Sequence, residues 1–231
     1  MSDYIHRGKH RVRVVLFLVG AILLALSLNT AYGFLNTLDR LKVVEAERDR
    51  WQRPSDVLRA LDLRRGNAVV DLGSGAGYFA LKLAPIVGSP GKVTAVDVRK
   101  VSLLFLRVRA FLRNEHNIEV IFGDQDDPHL PAGNADSVLI CNTYHEFRNP
   151  RLMLDHTFEA LHPGGRVVIV DREPQAVNGE QNERSVGDHE ISAASVETEL
   201  RRRGFEILSV EEFFIDGPGD DQWWLMVARK P

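Results

Sequence analysis

Apolar and polar positions fall into two regimes along the 231-residue chain. From Val14 to Leu28 the side chains are apolar except for Ser27, and no charged residue occurs from Val14 to Leu38. As a helix this stretch reaches about 37 Å, enough to cross a bilayer. Asp39 to Arg53 then sets Leu41, Val44 and Trp51 among many charges, which predicts a helical connector. From Pro54 onward, short β-branched runs alternate with helix-like stretches. Strands are predicted near 68–72, 92–97, 118–123, 136–141, 165–171, 205–214 and 222–229. The last two are joined by Asp216-Gly217-Pro218-Gly219-Asp220, a hairpin that makes one strand antiparallel. This alternation predicts an α/β domain over residues 54–231, its sheet mostly parallel and covered on both faces.

The first predicted strand, Val69-Val70-Asp71-Leu72, runs into Gly73-Ser74-Gly75-Ala76-Gly77-Tyr78-Phe79 and then a helix-like pattern with Phe79, Leu83 and Ile86 on one side. Glycines there permit backbone angles closed to other residues and let a ligand approach the main chain. A helix start behind them offers unpaired N–H groups. Two details depart from the dinucleotide fingerprint G-x-G-x-x-G. Tyr78 stands where its third glycine belongs, and Asp71 precedes the first glycine, where a carboxylate repels a pyrophosphate but accepts from a cationic amino-acid group. The second and third strands end in acids too, at Asp97 and Asp124.

Asp71-x-Gly73-x-Gly75-x-Gly77 resembles the first motif of the class I S-adenosylmethionine-dependent methyltransferases, and Leu161-His162-Pro163-Gly164-Gly165 resembles the turn that precedes their fifth strand. The resemblance implies a Rossmann-like, doubly wound, seven-stranded sheet of order 3-2-1-4-5-7-6. It implies S-adenosyl-L-methionine as cofactor, with Asp71, Gly73, Ser74, Gly75 and Gly77 at the methionine end, Asp97 at the ribose and Asp124 at the adenine. Tyr78, Val98 and Asn142 are further candidates for cofactor contact.

Ligands of open α/β sheets sit beyond the carboxyl ends of the strands. After the fourth strand the chain reads Cys141-Asn142-Thr143-Tyr144-His145-Glu146-Phe147, dense in polar groups. Methyl transfer requires an acceptor that loses a proton and is aimed at the methyl. His145 or Glu146 are the candidate bases, Tyr144 a candidate for orienting the acceptor, and His189 a candidate in a lid. Quinone-methylating relatives carry paired histidines in this segment, whereas here the second position is Glu146. Asp171 and Glu173 end the fifth strand, where acceptor contacts are expected.

Composition narrows partners. A formal net charge of -3 and a pI near 6.2 exclude a broad phosphate-binding face, so no nucleic acid is expected. The single Cys141 excludes a disulfide and a cysteine zinc site, so no metal is expected. Residues 1–13 form a basic tail with Arg7, Lys9, Arg11 and Arg13, residues 14–38 a transmembrane helix or signal-anchor, and residues 39–53 the connector. Arg40, Lys42, Arg48, Arg50 and Arg53 nearly balance the tail, so charge does not fix orientation. A cytosolic cofactor places the catalytic domain in the cytoplasm. Ala31-Tyr32-Gly33 also suits signal-peptide cleavage, which would export the domain.

Together these features point to a membrane-tethered methyltransferase acting on a small or lipid-soluble acceptor. The alternatives are a catalytically inactive nucleotide-binding module or membrane scaffold of the same fold, and an NAD-linked enzyme, which Tyr78 disfavours.

Overall fold

The computed structural model describes residues 2–174, 190–217 and 221–231, with side chains from residue 16 onward. The chain divides into two compact units, Met1–Glu47 and Arg48–Pro231.

Helix α1 covers Ser2–Trp51 without a break, so the predicted apolar span and its connector are one element. Among the described residues it is the one helix long and apolar enough to cross a membrane, with a mean hydropathy of 1.8 over its best window. Side chains such as Leu16, Phe17, Leu23 and Leu28 are exposed along it.

The second unit is built on a seven-stranded sheet. In chain order its elements are α2 (Pro54–Ala60), β1 (Ala68–Leu72), α3 (Ala80–Val87), β2 (Lys92–Asp97), α4 (Lys100–Leu112), β3 (Ile118–Phe122) and β4 (Ala135–Cys141). A 3-10 turn (Tyr144–Glu146) follows, then α5 (Pro150–Ala160), β5 (Leu161–Arg172), α6 (Ala193–Arg203), β6 (Glu206–Asp216) and β7 (Gln222–Arg229). Strand order is β3-β2-β1-β4-β5-β7-β6, as the resemblance implied. β7 runs antiparallel to both β5 and β6, which is the predicted hairpin. The fifth strand starts earlier than its apolar run suggested. Leu161 pairs with Ala135, and the Pro163-Gly164-Gly165 stretch is absorbed as an irregularity before Arg166 pairs with Ser137.

Central strands are apolar on both faces because each face is roofed by helices. Val69, Leu139, Val168, Trp223 and Val227 pack on one side with Leu83 and Leu106. Val70, Ile140, Ile169, Trp224 and Met226 pack on the other with Leu154 and Leu200. Trp223 and Trp224 therefore serve opposite layers, as strand alternation requires. Arg201, Arg202 and Arg203 close α6 before Gly204, whose φ of 104° caps the helix, and Cys141 is buried at the end of β4.

From β1 the chain steps outward to β2 and β3, then returns to lay β4 on the other side of β1. This switch point opens a crevice above the carboxyl ends of β1 and β4. Three glycines of positive φ, Gly73, Gly75 and Gly77, hold the turn that lines it. A Cβ on Gly77 would come within 2.3 Å of Leu106 Cδ1, so α4 packs against the turn only because that atom is missing. Gly66, with a similar φ of 96°, has nothing within 4 Å of its virtual Cβ, against 90° for Gly77. We expect Gly66→Ala to cost about 1 kcal/mol of backbone strain and Gly77→Ala a further ~1–3 kcal/mol of overpacking, read as the difference between their denaturant midpoints. Equal losses would show that the Leu106 contact carries no weight.

Candidate active site

β1 delivers Asp71 to the floor of the crevice. Its carboxylate is buried and accepts from the backbone N–H of Ala80, at the start of α3. Its Oδ2 has no hydrogen-bond partner. Burial pushes Asp71 up to about 7; the Ala80 N–H and the charge of Arg48 work in the other direction, while Asp97 adds to the rise. Two further buried oxygens of the crevice lack partners, Ser74 Oγ and Asn142 Oδ1. Buried polar atoms without partners are rare, and such atoms at a switch point mark where ligand polar groups belong.

The turn above Asp71 is tied down on all sides. Gly73 and Ser74 donate to the Val96 carbonyl at 2.8 and 2.9 Å, and Gly75 donates to Asp97 Oδ2 at 2.8 Å. A Cβ on Gly73 would lie 2.3 Å from Thr143, so the turn touches the loop after β4 directly. Arg109, buried in α4, donates from Nη1 to the Ala76 carbonyl. Asn142 adopts φ 54° while its N–H donates to Val170 at 2.8 Å, a left-handed position that asparagine tolerates better than most residues.

Toward the ribose end, Asp97 is buried at the tip of β2, and its Oδ1 accepts from the Arg99 backbone at 2.8 Å and from Arg99 Nε at 3.3 Å. Oδ2, which accepts from Gly75, has a second lone pair to offer a hydroxyl. Val98 beside it is half exposed. Asp124, just past β3, lies at the solvent rim and pairs with His129 Nε2 at 3.1 Å, while His129 Nδ1 pairs with Asp127 at 3.2 Å.

The loop after β4 separates its three candidates. His145 Nδ1 meets Asp171 Oδ1 at 2.7 Å, with both side chains almost wholly buried (3% and 0% exposed), and the His145 N–H reaches Asp171 Oδ2 at 3.2 Å. On the other side of the ring, Nε2 lies 3.8 Å from Glu146 Oε1, whose side chain is 51% exposed. The imidazole thus lies between a buried carboxylate and a half-exposed one. Tyr144 does not join them. It is fully buried in the opposite core layer and its hydroxyl donates to Glu199 on α6, so it anchors the turn and does not orient an acceptor. Glu173 accepts from the Ala193 N–H at 2.9 Å, which commits it to the start of α6. His189 lies outside the described residues.

Tyr78 also differs from its expected cofactor contact. Its ring is buried between Arg48, 3.9 Å from the centroid, and Lys82, 4.7 Å away, and its hydroxyl donates to Asp49 at 2.7 Å. Burial and the Asp49 carboxylate raise the phenol above its ordinary range. The end of the connector, read from sequence as remote from chemistry, supplies these partners. Gln52 is buried there too, accepting from Arg48 Nε at 2.7 Å and donating to Cys141 Sγ at 3.4 Å. Nothing in a charged stretch signals which of its side chains turn inward. Among the described residues no cluster suits a metal ion.

Because folding raises Asp71 from 3.8 to about 7, the folded state holds its proton more tightly, and the stability this confers below pH 4 is lost as pH rises through 7. Asp71→Asn is therefore expected to be more stable than the parent at pH 8, by up to about 4 kcal/mol, with the gap closing toward pH 4. Urea unfolding at the two pH values measures it; a pH-independent gap would contradict the assignment.

The family model described as "Methyltransferase domain" matches residues 63–212. The chain is 34% identical over 111 residues to the protein-L-isoaspartate O-methyltransferase 2 of Archaeoglobus fulgidus, covering 47% of each protein. It is 32% identical over 114 residues to the ubiquinone/menaquinone biosynthesis C-methyltransferase of Pseudomonas entomophila, covering 47% of this chain and 43% of that one. The chain thus spans about half the length of the curated relatives it matches. Among solved structures, an S-adenosylmethionine-dependent methyltransferase from Aquifex aeolicus superposes with a TM-score of 0.68 at 22% identity, over 83% of this chain and 97% of that one. The [4+2]-cyclase SpnF superposes with a TM-score of 0.67 at 20% identity, over 78% and 80%. Such likeness shows the fold, and a cyclase among the matches illustrates that fold alone does not set the reaction. The glycine turn and the strand-end acids lie within the matched region, which covers more than half of the chain, and the chain belongs to the methyltransferase domain family, whose cofactor is S-adenosyl-L-methionine.

Proposed function

We propose that this chain transfers a methyl group from S-adenosylmethionine to a small or lipid-soluble acceptor, and that α1 holds it to a membrane. The observation that carries the cofactor reading is the set of buried, unpartnered oxygens on Asp71, Ser74 and Asn142 around a glycine turn. An ammonium group satisfies an acid buried this way, Asp97 offers acceptors to ribose hydroxyls, and Val98 and Asp124 stand at the adenine end. Arg48, close enough to act on the charge of Asp71, suits the cofactor's carboxylate.

The bound cofactor supplies an electrophilic methyl on a sulfonium. The protein's task is to bind and aim the acceptor and to take its proton. His145 is placed for that proton at Nε2, with Asp171 fixing the ring through Nδ1 and Glu146 beside Nε2 at the mouth. Asp171 is thus a positioning residue.

Membrane attachment rests on the apolar length of α1, and the cytoplasmic placement of the catalytic unit on where the cofactor is made. A tether raises the local concentration of a lipid-soluble acceptor.

Calorimetric titration with S-adenosylhomocysteine tests the cofactor site. Binding is expected to be flat above pH 7 and to weaken about tenfold per pH unit below it, as Asp71 takes up a proton, and to be lost in Asp97→Ala. Absence of binding to the parent chain would refute the reading. Comparing methylated metabolites and lipids from cells with the gene, without it and with His145→Gln tests the reaction. We expect a species one methylene heavier that needs the intact gene and falls roughly 100- to 10,000-fold in rate with His145→Gln, while S-adenosylhomocysteine still binds. Unchanged metabolites across all three cell lines would favour the inactive module.

A further inference from the structure

Helix α4 carries apolar side chains on two sides. Toward the sheet it buries Leu103, Leu106 and Ala110. At about 100° per residue, Val101, Leu104, Val108, Phe111 and Leu112 fall on an arc of roughly 100° opposite that side. Val101, Leu104, Phe111 and Leu112 are 68%, 53%, 77% and 67% exposed. Phe122, at the end of the edge strand β3, extends the surface, and Lys100 Nζ sits 4.6 Å from its ring centroid. A surface helix ordinarily turns polar residues outward, and a contiguous exposed apolar patch marks a contact surface.

Its charges are all of one sign. From Val98 to Asn114 there is no Asp or Glu, while Arg99, Lys100, Arg107, Arg109 and Arg113 all occur, in a chain of net charge -3. On the helix wheel Lys100 and Arg107 border one edge of the apolar arc, and Arg113 lies beyond the other. Arg107 Nη2 donates to the Val120 carbonyl of β3, a neutral partner. Of the flanking acids, Asp97 pairs with Arg99 at 3.3 Å and so takes that cation out of the count, Glu119 pairs with Lys92 at 2.8 Å, and Asp124 and Asp127 pair with His129, while Glu115 follows at the far end beside Arg113.

We propose that the outer face of α4, with Phe122 of β3, is a docking surface for an anionic lipid bilayer. Apolar side chains entering the acyl boundary with lysine and arginine reaching the headgroups is the arrangement that binds a helix flat in a membrane interface. A second copy of the chain fits less well, because a two-fold contact through α4 would set the same cations against one another. The inference stands on α4 and β3 and does not require α1. Asp97, Val98 and Arg99 lead directly into α4. Docking therefore brings the adenosine end of the candidate site to the lipid surface, where a lipid-soluble acceptor is concentrated.

The full-length chain carrying a polarity-sensitive fluorophore at Leu104→Cys tests this, with Ser209→Cys on the opposite edge strand as control; Cys141 is buried and takes no label. Reconstituted in vesicles of phosphatidylcholine with phosphatidylglycerol, the Leu104→Cys label is expected to shift to the blue and escape aqueous acrylamide, and the control label to stay accessible. Phosphatidylcholine alone or high salt should restore access. Lys100→Gln with Arg107→Gln should lower the docked-to-undocked ratio about thirtyfold without weakening S-adenosylhomocysteine binding. A Leu104→Cys label that stays water-accessible on anionic vesicles, or is shielded equally on neutral ones, would overturn the proposal. So would shielding in detergent that grows with protein concentration, the sign of a second copy. Flotation with neutral vesicles reads attachment through α1 separately, so failure of the tether and failure of the docking face are distinguishable.

Discussion

A carboxylate held out of water with one oxygen unsatisfied is costly, and Asp71 is placed in that position by the central strand of the sheet. The rest of the crevice follows from keeping it there. Gly73 lets the chain turn against Thr143, Gly77 lets α4 close over the turn, and Arg109 ties the Ala76 carbonyl from beneath. Gly75 and Asp97 join the turn to the next strand. The apolar layers on both faces of β1 and β4 supply the stability against which this cost is set. In the proposed cofactor site a ligand cation above Asp71 would relieve a penalty the fold already bears, so binding there would remove strain as well as add contacts.

How much of this was legible in the sequence depended on sequence distance. The glycine turn and the acids at Asp71 and Asp97 are local, since a strand, a turn and a helix within about thirty residues fix one another's geometry. The hairpin and the opposed faces of Trp223 and Trp224 were legible for the same reason. The acceptor half was not. His145 and Asp171 are 26 residues apart and meet only because β4 and β5 are neighbours with their ends level. Gln52 reaches Cys141 across 89 residues, and Arg48 stacks on Tyr78 from a segment whose charge pattern reads as a solvated connector. Tyr144 shows the converse. In a polar loop it looked like a site residue, yet the 3-10 turn directs it into the core, while its neighbour His145 turns to Asp171.

The two halves of the site carry different information. The proposed cofactor half is made of main chain and acids held by the turn. The proposed acceptor half is a buried His–Asp pair beside a half-exposed glutamate. An acceptor that attacks through an existing lone pair, such as a thiolate, loses no proton in the transfer and gains nothing from a base. One that attacks through O–H, N–H or an activated C–H must shed a proton, and Asp171 then holds the ring in the tautomer that receives it while offsetting the charge the ring acquires. The burial of Asp171 at zero exposure is offset by more than the imidazole, since its carboxylate also accepts from the backbone N–H groups of His145 at 3.2 Å and Arg172 at 2.9 Å. Of the groups around the loop after β4, the imidazole is the one its backbone needs least. Asn142 is already bonded to Val170, Glu146 to the Thr143 carbonyl and Tyr144 to Glu199, so the backbone is held without the imidazole.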